Sequence, residues 1–111
     1  MFIGGDIHSF WVTDLKADFD NRSAPTVATE FVGTSITSDP PPYDQIMRLL
    51  PENPHVRYFE SRHRGYVAVD LFHKRMDTRL QVISDRRDPK ALVTTLKRFV
   101  VESGKTGAIA A

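Results

Sequence analysis

Asp6 and His8 stand two apart behind a pair of glycines, in Met1-Phe2-Ile3-Gly4-Gly5-Asp6-Ile7-His8. In an extended segment such residues share a face with Cα atoms about 6.7 Å apart, so a carboxylate and an imidazole can converge on one metal ion or on two ions of a shared cluster. The glycines permit close backbone approach and unusual dihedrals at a strand end, where ligands are commonly displayed. The plainer alternative, and the commoner fate of such a pair, is a turn carboxylate and a surface imidazole. A second set is basic: His55, Arg57, Arg62, His63 and Arg64 could neutralise a phosphate, but Glu60 lies among them and charge-rich segments before a strand are usually solvated.

Other candidates carry bland readings beside the functional ones. Tyr66, after Gly65, either hydrogen-bonds a ligand oxygen or packs with a wet hydroxyl. Glu30 within TEFVG either supports a metal ligand or, as the favoured reading, lies on an exposed strand face. Gly33-Thr34-Ser35 offers backbone N–H groups to an anion without the spacing of a phosphate loop, and no base is visible for either hydroxyl. Phe10, Trp11 and Phe31 read most simply as core.

The elements that must position these residues are mostly strands. A short apolar strand opens the chain and runs into the Asp6 segment. Ser9 to Asp20 fits a helix capped by Ser9 or, as favoured, a strand. Asn21 to Pro25 is a turn, and the β-branched run Thr26–Ile36 is a strand whose Gly33 marks a bulge or close approach. Ser38 to Pro42 starts one short helix near 42–50, with Tyr43, Ile46, Met47 and Leu50 as its apolar stripe and Pro51 and Pro54 ending it. Strands are expected at His55–Glu60, Gly65–Phe72, Thr78–Ser84 and Thr94–Glu102, with a frayed tail from Ser103. The expectation is a β-rich unit of about five or six strands and one short helix.

Composition limits the function classes. The 111 residues are 41% hydrophobic and 26% charged, which suits one soluble globular unit spanning 1–111. A net charge of +1 supplies no long-range field for nucleic acid. The absence of cysteine removes disulfides, thiolate nucleophiles and Cys-based metal sites. No apolar run approaches membrane-spanning length and no basic flank opens the chain, so neither a membrane span nor a signal peptide is expected.

Three blocks taken together, GGDIHSFWVTDLKADFD, VATEFVGTSITS and NPHVRYFESRHRGYVAVDL, resemble the C-terminal part of the PhoD-like metallophosphatases, the alkaline phosphatase D family, in that family's order. The resemblance implies an α/β metallophosphatase sandwich as parent fold. It also implies phosphomonoesterase and phosphodiesterase activity, a ferric ion with calcium ions as cofactors, and a periplasmic or secreted setting. It makes Asp6 and His8 metal ligands, the pair of the family's Gly-Asp-x-His element. The family's other ligands, an iron-binding cysteine and further acidic and tyrosine residues, come from upstream sequence that these 111 residues lack. Calcium takes six to eight oxygens, so Asp6 and His8 fall short of a complete site.

The expectation is therefore a C-terminal segment beginning within a core strand, inactive alone, which meets its phosphate ester substrate only when completed and which can self-associate through an open strand edge. The rival expectation is an autonomous non-catalytic small β domain that binds a partner or itself.

Overall fold

Alternation sets the architecture. In the segment Arg75–Ile83, Met76, Thr78, Leu80 and Val82 are buried while the residues between them face outward, the period of a strand with one face on a core. The computed structural model of the protein, which describes residues 1–111, contains eight strands. They are β1 (Phe2–Gly4), β2 (Phe10–Lys16), β3 (Thr26–Val32), β4 (Val56–Glu60), β5 (Arg64–Leu71), β6 (Arg75–Ile83), β7 (Val93–Glu102) and β8 (Ile109–Ala110). One helix, α1 (Tyr43–Leu49), runs into a single 3-10 turn over Leu50–Glu52.

The strands form two four-stranded sheets. The first has the order β1-β3-β2-β4, with β1 parallel to β3 and the other pairs antiparallel. The second is an antiparallel meander, β5-β6-β7-β8. Phe10, Val12 and Phe31 from the first sheet meet Met76, Leu80, Val82 and Phe99 from the second, and this cluster is the core. The Phe31 and Phe99 rings lie 6.1 Å apart across the two layers, and Tyr58 lies 5.9 Å from Phe99. The outer side of the first sheet is covered by aromatic stacking: Trp11 lies 4.5 Å from Phe59, and Tyr43 stacks on Phe59 at 5.8 Å.

Several expectations are corrected. The strand count is eight, because the tail is not wholly frayed: Ile109 and Ala110 pair with Val100 and Phe99. The third-last strand begins at Arg75 rather than at Thr78, since Met76 extends the inward-facing row. Gly33 carries no bulge and lies one residue beyond β3; the register slips instead at Leu15/Lys16, where β2 meets β3. The strand reading of Ser9–Asp20 holds for Phe10–Lys16. The helix lies within 42–50, and its apolar stripe is covered only in part: Tyr43, Ile46 and Leu50 are half-buried. No residue of α1 is buried, and Met47 and Leu49 are 39% and 57% exposed. A helix of two turns meets the first sheet through Tyr43 on Phe59 and buries no side chain fully.

Candidate functional site

The parallel pair β1–β3 brings two carboxyl ends to one place, the end of a parallel pair where ligand groups commonly gather. Gly4 ends β1, and the Gly33 N–H just beyond β3 donates to its carbonyl at 3.0 Å. The chain after β1 then departs from the expected extended path. Asp6 and His8 have φ of 73° and 59°, both left-handed, so the simple i, i+2 strand geometry does not bring them together. Asp and His tolerate this region better than β-branched residues do, which fits the residue types found here.

Long-range hydrogen bonds hold this turn. The backbone carbonyl of His8 accepts from both Nη1 and Nη2 of Arg64 at 3.1 Å. The His8 Nδ1 lies 2.9 Å from the carbonyl oxygen of Asp39, which can only accept, so Nδ1 carries the proton and donates. The Asp39 segment is tied in turn to Arg86, whose Nη2 donates to Asp39 Oδ1 at 2.6 Å and whose Nη1 donates to the Thr37 carbonyl at 2.8 Å. The hydrogen bond and the charge of Arg86 hold the Asp39 carboxyl below the usual carboxylate range.

Asp6 and His8 share a cavity of about 400 Å³ with Thr34, Ser35 and Tyr66. The structure thus gathers residues that the sequence offered separately. Neither hydroxyl is poised as a nucleophile: Thr34 Oγ1 donates to the His63 carbonyl at 3.2 Å, and Ser35 Oγ donates to the Ser38 carbonyl at 2.9 Å while accepting from Arg64 Nη1 at 2.6 Å. Asp6 and His8 belong to no group of three or more acidic, histidine or cysteine side chains placed to hold one ion. Glu30 is half-buried and faces a different cavity with Trp11 and Thr13, so it does not back either ligand candidate.

The basic cluster divides: His55 and Arg57 go elsewhere, while Arg62, His63 and Arg64 line one cavity with Arg86. Arg57 pairs with the buried Asp14, and His55 packs edge-on against Phe19 at 5.0 Å. Arg62 is spent on Glu60, with Nη2 to Oε2 at 2.8 Å and Nε to Oε1 at 2.9 Å, and its guanidinium lies 3.9 Å over the Tyr43 ring. Arg64 is buried, and His63 lines a separate cavity with Arg62, Arg64 and Arg86. Sequence reading missed Asp39 and Arg86, and no local signal marks them, because they matter only through contacts that span 31 and 47 residues.

The Glu60–Arg62 pair makes stability depend on pH. Burial pushes the Glu60 carboxyl up, but the hydrogen bonds and charge of Arg62 outweigh it and hold the group below its ordinary value. A carboxyl more acidic in the folded than in the unfolded chain stabilises the fold above the unfolded value, about pH 4.3, and the contribution is lost as pH falls through the folded value. Acidification from about pH 6 to about pH 3 should therefore lower the thermal midpoint more in the wild-type chain than in Glu60→Gln. Equal slopes for the two proteins would refute this role for the pair.

The profile of the PhoD-like phosphatases matches residues 1–80. Alkaline phosphatase D of Bacillus subtilis (strain 168) is 34% identical over 106 residues, covering 93% of this chain and 18% of the relative. A solved structure of PhoD superposes with a TM-score of 0.84 at 32% identity, over 97% of this chain and 21% of that one. The chain thus spans about a fifth of the length of the proteins it matches. On the profile, the identity and the shared two-sheet fold, the chain belongs to the PhoD-like phosphatase family.

Proposed function

We propose that these 111 residues are the C-terminal part of a metal-dependent phosphate-ester hydrolase of the α/β metallophosphatase kind, and that they contribute Asp6 and His8 as two metal ligands. The observation that carries the reading is the shared cavity at the end of the parallel pair, where Asp6 lies beside a His8 whose Nδ1–H is already engaged. That hydrogen bond leaves Nε2 with its lone pair, the form in which imidazole binds a metal. The donor set suits calcium through the Asp6 carboxylate and a transition metal such as ferric iron through the imidazole.

When bound, metal ions would polarise a phosphoryl oxygen and stabilise charge in an in-line displacement. The chain's own residues hold the ligands: Arg64 fixes the His8 backbone, the Asp39 carbonyl fixes its ring, and Gly4-Gly5 carry the chain from β1 to Asp6. Tyr66 on the cavity wall would offer its hydroxyl to a phosphoryl oxygen. Two ligands do not make a catalytic centre, and the remaining donors belong to the rest of a full-length relative.

The test is hydrolysis of a chromogenic phosphodiester in the presence of Ca²⁺ and Fe³⁺. The 111-residue chain alone should give no metal-dependent turnover. Mixed with the portion of the Bacillus subtilis relative that precedes its matched segment, it should give turnover that Asp6→Ala and His8→Ala abolish. Turnover by the chain alone that disappears in Asp6→Ala would overturn the inactivity, and a restored activity indifferent to Asp6 and His8 would overturn their assignment.

The second reading, a non-catalytic β unit that binds a partner or itself, is favoured by one observation: Phe2 and Ile3 on the terminal strand β1 are 60% and 59% exposed. An open strand edge with apolar side chains invites pairing. Concentration-dependent sedimentation that is lost in Ile3→Lys would support it, and a monomer at every concentration would exclude its self-associating form.

A further inference from the structure

Arg64 is a buried arginine, 6% exposed, and every hydrogen bond it makes goes to a neutral oxygen. Its five bonds reach the His8 carbonyl twice, the Ser35 hydroxyl, the Ser38 carbonyl and the Ser61 carbonyl. Burial of an arginine is costly, and one without a carboxylate partner is the costlier kind. Its planar fork is the side chain best able to bind several carbonyls from fixed directions at once. The oxygens it binds belong to three segments: the turn before β2, the loop between β3 and α1, and the link between β4 and β5. The first two of these segments also meet directly, through His8 Nδ1 and the Asp39 carbonyl.

We propose that Arg64 is a positioning residue for His8: by clamping the His8 carbonyl and the Ser35–Ser38 loop together, it holds the Asp39 carbonyl against Nδ1 and so keeps Nε2 unprotonated and directed to accept a metal ion. The value of this arrangement to a metal site rests on the assignment of His8 as a ligand, given above. Arg86 completes it from the far side by anchoring Thr37 and Asp39. The device works in two linked steps. Arg64 sets the left-handed backbone of His8, with φ of 59°, which aims the ring at the 37–39 loop. The carbonyl met there then selects one tautomer, because an oxygen with only lone pairs cannot face an unprotonated nitrogen. A metal-ligating histidine whose other nitrogen donates to a carbonyl is restrained in both tautomer and orientation, and loss of such a partner typically weakens metal binding about 10–100-fold.

A purely structural staple would hold the same three segments together without any bearing on the imidazole, and the tautomer separates the two cases. The experiment is long-range proton–nitrogen NMR of the His8 side chain in the metal-free 111-residue chain, in alkaline buffer where an ordinary imidazole is neutral. It is followed by titration with Mn²⁺, read as paramagnetic broadening at His8 and Asp6. The variants are Arg64→Lys, which keeps the charge and removes the fork, and Arg86→Gln, at a partly exposed residue, which releases the 37–39 loop alone. Thermal unfolding reports whether each variant folds.

The wild-type chain should show His8 only as the Nδ1–H tautomer. Both variants should show a mixture, with Mn²⁺ binding at His8 weakened roughly 10–100-fold. An Nε2–H tautomer in the wild-type chain overturns the proposal. So do folded variants that keep the wild-type tautomer and the wild-type Mn²⁺ response. If Arg64→Lys does not fold, Arg86→Gln decides by the same two results. Failure of the metal assignment has a different signature: the tautomer is Nδ1–H and responds to the variants, yet Mn²⁺ broadens neither His8 nor Asp6.

Discussion

Gly65→Ala should lower the thermal midpoint of the chain by roughly 12–24 °C, the largest effect expected of a methyl group added at any of its glycines. Gly65 lies in β5 opposite Val82 of β6, in a fully paired antiparallel ladder. A Cβ built there falls inside van der Waals contact with the Gln81 carbonyl oxygen and 2.9 Å from the Val82 Cα. Both obstacles are backbone, so no rotamer change relieves them, and either β5 must lift from β6 or the ladder must break. Overpacking of this kind costs about 3 kcal/mol at the upper end of its usual range, and a domain of this size melts about 4–8 °C lower for each kcal/mol. Gly5→Ala is the matched control, because a Cβ there meets nothing within 4 Å and the backbone has no positive φ; its midpoint should stay near that of the wild-type chain. A Gly65→Ala protein that melts within about 3 °C of wild type would show that the strands part at little cost.

Phe31→Ala should destabilise the chain by about 3–5 kcal/mol, a large share of the total stability of a small domain. Phe31 is fully buried, lies on the inward face of β3 opposite Val12 of β2, and meets Phe99 across the interface between the sheets. Its removal opens a cavity at the point where the two layers are joined, and neither sheet can collapse into it without breaking its own pairing. Ile3 pairs with the same Phe31 on the other side, from β1, but is 59% exposed, so Ile3→Ala should cost less than about 1 kcal/mol. Urea unfolding of the two variants gives the comparison. Equal losses would mean that the face of β1 is buried as deeply as that of β3.

Legibility in the sequence followed the range of the interactions involved. The strand β6 could be read because its alternation is local and decided by which side faces the core, though it starts earlier than its β-branched residues suggest; β5 and β7 were also read as strands, yet their burial does not alternate cleanly. The helix was placed correctly by its prolines, and its stripe of Tyr43, Ile46, Met47 and Leu50 marks the more covered face, though periodicity says which residues share a face and not how deeply they are buried. Asp6 and His8 were legible as residue types beside Thr34, Ser35 and Tyr66, which the fold brings to one cavity. The shape of their turn was not legible, because its two left-handed residues are held by Arg64 and Asp39 from distant segments. The basic cluster looked like one feature and divided, because Asp14 claimed Arg57 and Phe19 took His55, while Arg62, paired with Glu60, stayed on one cavity with His63 and Arg64.

The bonds that shape the His8 turn close loops of 56 and 31 residues. Closing such loops is entropically costly until the intervening chain is already ordered, and contacts of this separation slow folding. Loop-closure entropy therefore favours formation of the turn after β2, β4 and the start of β5 are in place. In the native state it belongs with the segments that open first, ahead of the paired strands of the meander. The order of events protects against error: a chain that has not completed its two sheets does not yet present Asp6 and His8 in the conformation that fits them for a ligand, so premature capture of an ion by a half-folded chain is disfavoured.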